Sequence, residues 1–165
     1  MKLRKLERRD APLMLEWMHD NSVVSHLGTN FAEKTLDDCC RFIDWANSTD
    51  TDLHLAVTDE TDTYMGTVSL KHINRTNKTA EFAITVRACA MGHGYAKFGM
   101  AEILKMGLTE LGLSAIYWCV SRDNARAVRF YDKCGYTRTE VVPETISAAY
   151  TAAQLENFLW YVENE

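Results

Sequence analysis

At 165 residues, 47% hydrophobic and 25% charged, the chain is the size of one ordinary domain and has enough apolar surface to bury a core, which excludes a disordered or collagen-like protein. Eighteen Lys and Arg against 23 Asp and Glu leave a formal net charge of −5, which excludes a module built to neutralise nucleic-acid phosphates. No stretch approaches the roughly 18 consecutive apolar residues of a membrane span, so a cytoplasmic protein with no nucleic-acid or membrane partner is expected.

In chain order, Lys2 to Glu7 alternates as a strand does, and Asp10 is positioned to cap a helix with Pro12 in its first turn and Leu13, Met14, Trp17 and Met18 at helical spacing. Residues 21–30 lack periodicity. Thr35-Leu-Asp-Asp38 then reads as a capping box opening a helix to about Asn47. From Leu53 the period switches to two. Strands over 53–57, Tyr64–Ile73 and Thr79–Val86, separated by polar turns, predict an antiparallel meander. After the glycine-bearing loop Cys89–Gly94 comes a long helix with Phe98, Ala101, Leu104, Leu108 and Leu111 on one face. Leu113–Ser121 reads as a buried strand, and Asp123 or Asn124 caps a helix to Cys134, stopped by Gly135. Tyr136–Val142 and Phe158–Val162 read as strands, with 143–156 open between loop and short helix. This order is α+β.

The five cysteines, Cys39, Cys40, Cys89, Cys119 and Cys134, include no C-x-x-C pair, and the five histidines no H-x-x-x-H pair. Reduced thiols and no metal site are expected. A nucleophilic role for Cys89 or Cys134 lacks a His–Asp pattern beside it.

Met91-Gly-His-Gly-Tyr-Ala96 falls between a strand and a helix, where backbone N–H groups and the helix N-terminus suit a phosphate. It fits neither a Rossmann fingerprint, which needs Gly where Lys97 stands, nor a Walker loop, which needs Lys-Ser/Thr where Met100-Ala101 stand. One helix and one strand later comes Asn124-Ala-Arg-Ala127-Val-Arg-Phe-Tyr131-Asp-Lys-Cys-Gly135-Tyr136. The first segment resembles the Arg/Gln-x-x-Gly-x-Gly/Ala loop of the GNAT superfamily of N-acetyltransferases. The second resembles its Asn-x-x-Ala-x-x-x-Tyr-x-x-x-Gly-Phe/Tyr motif. Met91 departs from the usual Arg or Gln, and Lys97 could supply the missing charge.

The resemblance implies the GNAT fold as a single domain over 1–165, a mixed and mostly antiparallel sheet of six to seven strands flanked by about four helices. The opening and central segments resemble the ribosomal-protein-acetylating and sugar-amine-acetylating branches. It further implies acetyl-CoA as cosubstrate: Thr85 and Val86 pairing with the pantetheine, Met91, Gly92, His93, Gly94, Tyr95, Ala96 and Lys97 on the pyrophosphate, and Asn124, Ala127 and Phe130 toward the thioester. Tyr131 takes the position of the general acid, with a backbone N–H near Val86 facing the oxyanion. An alkylamine with a pKa of about 10.4 is mostly protonated at neutral pH, so a base is needed. Glu81, on the face of Ala83 and Thr85 by period two, is the candidate, with His72 and Glu33 as rivals.

The reading is therefore an acetyl-CoA-dependent N-acetyltransferase using direct attack in a ternary complex, with a small-molecule amine or a protein N-terminal amine as acceptor, and a homodimer as the family's common assembly. The alternative is a non-catalytic acyl-CoA-binding domain on the same scaffold. Residues 20–47 and 143–157, where the family receives its acceptor, hold Asp20, Glu33, Asp37, Asp38, Asp44, Glu144 and Glu156 against Lys34 and Arg41, an acidic bias that suits a cationic acceptor.

Overall fold

The computed structural model describes residues 1–165. Seven strands form one sheet in the order β1-β2-β3-β4-β5-β7-β6. They are β1 Lys2–Lys5, β2 Leu53–Thr58, β3 Tyr64–Asn74, β4 Thr79–Val86, β5 Ala115–Ser121, β6 Thr137–Thr139 and β7 Phe158–Asn164. Every neighbouring pair is antiparallel except β4 and β5. Four helices of eight or more residues flank the sheet: α1 Ala11–Met18, α3 Leu36–Ala46, α4 Tyr95–Thr109 and α5 Ala125–Lys133. Three short ones, α2 Asn21–Val24, α6 Glu144–Ser147 and α7 Ala152–Asn157, fill segments that carry no helical period.

Alternation along the strands gives the sheet two apolar faces. Val57, Val68, Leu70, Phe82, Ile116 and Trp118 pack beneath α4 and α5, while Ala56 and Tyr64 join Met14, Trp17, Cys39 and Ile43 of α1 and α3 on the other side. The face predicted for α4 is rotated in the structure. Its buried residues are Gly99, Met100, Ile103, Leu104 and Gly107, and Ala101 is exposed. The reason is close approach: a Cβ on Gly99 would lie 2.7 Å from Val57, and one on Gly107 2.7 Å from Ile116. The helix thus lies on the sheet through glycines, which hydropathy does not score as apolar.

Two capping expectations hold and one changes. Thr35 and Asp38 form the reciprocal box, and Asn124, not Asp123, caps α5 by accepting from the Ala127 N–H. Asp10 occupies the N-cap position of α1 but gives that helix no side-chain bond. Its carboxylate instead accepts from the Glu7 N–H and both terminal nitrogens of Arg4, because a buried carboxylate requires a paired charge. The strand expected over Tyr136–Val142 shrinks to three residues, since only Thr137–Thr139 find a partner on β7.

Candidate active site

β4 and β5 pair only over Thr79–Glu81 against Ala115–Tyr117. Beyond Glu81, β4 stays on β3 as far as Val86, paired with Gly66, while β5 runs on with β7 to Ser121. The sheet is therefore forked, and the β4 edge from Phe82 to Val86 faces no strand. Thr85 and Val86 lie on this edge, and Glu81 is the last paired residue before it.

The glycine loop stands between the end of β4 and α4. Gly92 and Gly94 have φ of +79° and +87°, left-handed values that turn successive N–H groups to one side. The Met91 and His93 N–H groups are spent on the Ala88 and Ala90 carbonyls, whereas those of Gly92, Gly94, Tyr95, Ala96 and Lys97 find no acceptor in the chain. Those five are left free to donate to an anion. His93 is exposed. A cation does stand beside Met91, though no motif position pointed to it: Arg126, in the first turn of α5, donates to the Met91 sulfur at 2.9 Å. A cation is disfavoured at a helix N-terminus, and both Lys97 and Arg126 occupy one, which is the sequence signal for an anion between them.

A cavity of about 460 Å³ opens on the α1–α3 face of the sheet. Its floor includes His54, Thr67, Ser69, Lys71, Ala83 and Thr85, its walls include Trp17, Phe31 and Phe42, and Lys34 and Asp38 stand at α3. Period two puts Ala83 and Thr85 on the face of Glu81, as expected. Two hydrogen-bonded chains run in the floor: Trp17 Nε1 donates to Tyr64 Oη at 3.0 Å, which meets Thr67 Oγ1 at 2.7 Å, and His54 Nδ1 meets Ser69 Oγ at 2.7 Å.

Glu81 is 2% exposed. Its Oε1 accepts from the Tyr150 hydroxyl, while Oε2 lies 3.6 Å from Lys71 Nζ and 3.6 Å from His72 Nε2 without a hydrogen bond. A β-bulge brings two consecutive side chains to one carboxylate: the β3–β4 register slips between Lys71 and Asn74, and His72 takes a φ of +52°. His72 thus stands beside Glu81, whereas Glu33 is exposed on the loop before α3. Tyr150, from the 143–156 segment the sequence left open, packs its ring against Phe158 and Trp160, and burial with the nearby Glu81 charge holds its hydroxyl protonated. Cys119 shares this apex, its thiol pushed up to about 11 by burial, which leaves no thiolate for acyl transfer.

Tyr131 is 7% exposed and belongs to the core of its face, with Trp118, Tyr161 and Phe130 around its ring. Burial raises its pKa, and the structure gives its hydroxyl no hydrogen-bond partner. Packing and a free hydroxyl coexist in one residue.

The acidic bias expected around the acceptor is largely compensated. Asp37 and Asp38 pair with Arg41 and Asp44 with Arg8, while Asp20 caps α2. No helix is long and apolar enough to cross a membrane, and the five cysteines are unpaired.

Residues 1–137 match the acetyltransferase (GNAT) domain family. The chain is 27% identical over 136 residues to a spermidine N(1)-acetyltransferase of Vibrio cholerae, spanning 81% of this chain and 77% of that protein. It is 32% identical over 72 residues to a spermidine N(1)-acetyltransferase of Escherichia coli, 44% of this chain and 39% of that protein. Among solved structures, V. cholerae spermidine N-acetyltransferase in complex with CoA and spermine superposes with a TM-score of 0.81 at 22% identity, over 99% of this chain and 94% of that one. A dodecameric form from the same organism gives 0.73 at 23% identity, over 99% and 92%. These relatives are named for spermidine, so the resemblance to the ribosomal-protein and sugar-amine branches gives way at branch level. With most of the chain inside the family's domain and the forked sheet to match, the chain belongs to the GNAT acetyltransferase family and is an acetyl-CoA-dependent amine N-acetyltransferase.

Proposed function

We propose that the acceptor is a polyamine. The observation that carries this reading is the cavity beside the fork strand, whose aromatic walls suit a methylene chain and, through cation–π contact, its ammonium groups. The spermidine acetyltransferases it resembles support the same acceptor. The compensated surface acids do not, so recognition rests on the cavity. Self-association belongs to this reading too, given the family's homodimers and the dodecameric V. cholerae relative.

In this mechanism the pantetheine lies along the open β4 edge, paired with Thr85 and Val86. The free N–H groups of Gly92 and of residues 94–97 hold the pyrophosphate with Arg126, and Met91 and His93 border it. Asn124, Ala127 and Phe130 shape the thioester end. The amine enters from the cavity and attacks the acetyl carbon, and a backbone N–H near Val86 faces the developing oxyanion. An ammonium must lose one proton before it can attack, and the nitrogen loses a second after the C–N bond forms. Glu81, expected from the sequence to take the first, is buried behind the Tyr150 hydroxyl and takes the second through it, since that hydroxyl can accept from the amine while it donates to the carboxylate. Tyr131, kept neutral by burial, gives its proton to the departing thiolate.

Incubation with acetyl-CoA and a panel of spermidine, spermine, a free-N-terminus peptide and glucosamine tests the acceptor, with thiol release and product mass as readouts. The expected result is thiol release with the polyamines and a mass gain of one acetyl group on them. Preference for the peptide or the sugar overturns the polyamine reading, and no thiol release with any amine leaves the non-catalytic alternative.

A further inference from the structure

His54 is 6% exposed, in the cavity floor, and its partners are arranged in series. Nδ1 lies 2.7 Å from Ser69 Oγ, and Nε2, which has no hydrogen bond, lies 3.5 Å from Asp52 Oδ2. We propose that Ser69, His54 and Asp52 form the relay through which the acceptor ammonium loses the proton it must shed before attack, Ser69 meeting the amine and His54 taking the charge. The inference rests on the amine-acetylating reading and adds to it a step that Glu81 does not serve.

The tautomer follows from the surroundings. The Asp52 carboxylate favours the proton on Nε2, which leaves Nδ1 to accept from the Ser69 hydroxyl. The Ser69 oxygen then turns only lone pairs toward the cavity, so it receives an N–H donor and gives none. Ser69 sits opposite Ala83 of the fork strand in the β3–β4 register, so an amine on Ser69 lies beside the strand whose free edge is assigned to the pantetheine. When Ser69 accepts a proton from the ammonium, its own passes to Nδ1. The imidazolium so formed is stabilised by Asp52 and keeps the proton while the amine attacks, after which Asp52, which is partly exposed, returns it to solvent.

The groups facing His54 bear this out. Phe42 and Trp45 of α3 cover the ring, with centroids at 5.1 and 5.2 Å and no charge. Lys71 on β3 and Asp52 ahead of β2 are the charges that act on it, and Asp38 and Lys34 share the same cavity. Burial lowers the His54 pKa below its ordinary value of 6.5, so the imidazole is neutral and free to accept at neutral pH. The Asp52 carboxylate also accepts from the His72 N–H at 3.2 Å, which fixes its position against the bulge beside Glu81.

The test is the pH dependence of kcat/KM for spermidine in the wild type, His54→Gln and Ser69→Ala. The wild type should stay level through neutral pH and fall on the acid side as His54 protonates. Both variants should lose activity near pH 7 by about 10²-fold or more and climb about tenfold per pH unit toward the amine's own range, because they depend on amine deprotonated in solution. Glu81→Gln should lower kcat at every pH without creating that slope. Ser69→Ala removes one small hydroxyl, so it decides the matter if His54→Gln disturbs the fold. A level profile in Ser69→Ala, or an equal loss at every pH in both variants, overturns the relay. If another amine proves to be the acceptor, the polyamine reading fails separately, and the same slope is read with that amine.

Discussion

Tyr131→Phe lowers kcat by about 10²- to 10⁴-fold, the range for a lost general acid, while KM for acetyl-CoA and the melting temperature stay close to the wild type. The two halves of this expectation come from different atoms of one residue. The ring stays packed, edge-on or tilted, among Trp118, Tyr161 and Phe130, so the core keeps its packing. The hydroxyl bonds to nothing in the chain, so its removal leaves no buried partner unsatisfied. A single-turnover measurement at saturating acetyl-CoA isolates the chemical step. An unchanged kcat with a good acceptor assigns Tyr131 to the core alone and the proton to water.

Gly94→Val abolishes the thermal stabilisation that CoA confers. CoA at 100 times its Kd stabilises by about 2.7 kcal/mol, which for a chain of this length raises Tm by about 5–10 °C. Gly94 is the N-cap of α4 at a φ of +87°, a conformation that costs a β-branched residue about 1–2 kcal/mol. The side chain either distorts the loop or projects where the phosphates would approach, and both misplace the N–H groups of residues 94–97. Because strain also lowers the ligand-free Tm, each variant is compared with itself, with and without CoA. Gly112→Val is the control: its φ is +65° in open space at another turn, so it carries similar strain and should keep the full CoA shift. A full shift in Gly94→Val moves the phosphate site elsewhere.

What could be read from the sequence was local. The Thr35 box, the Asn124 cap and the glycine loop each depend on residues within a few positions of one another, and each stands where the spacing put it. The meander did too, because hairpin neighbours pair in chain order. The fork was not legible from periodicity, since nothing in Thr79–Val86 or Ala115–Ser121 reports that their pairing stops at Glu81; the family resemblance implied only that Thr85 and Val86 pair with the pantetheine. The rotated face of α4 escaped because Gly99 and Gly107 pack by having no side chain. Tyr150, Arg126 and the His54–Ser69 pair are separated in sequence from the groups they meet, by 69 residues for Tyr150 and Glu81. Such meetings exist only once the strands are ordered.

The short pairing of β4 with β5 also bears on how long the protein survives. The backbone ladder between β4 and β5 is three residue pairs long, and past it the contact passes to side chains such as Phe82 against Trp118, so local opening of the sheet starts at the unpaired β4 edge beyond Glu81. A pantetheine arm lying along the free β4 edge completes that edge much as an added strand would, and it withdraws the opened form from proteases. Resistance of the purified chain to limited proteolysis should then rise with acetyl-CoA concentration.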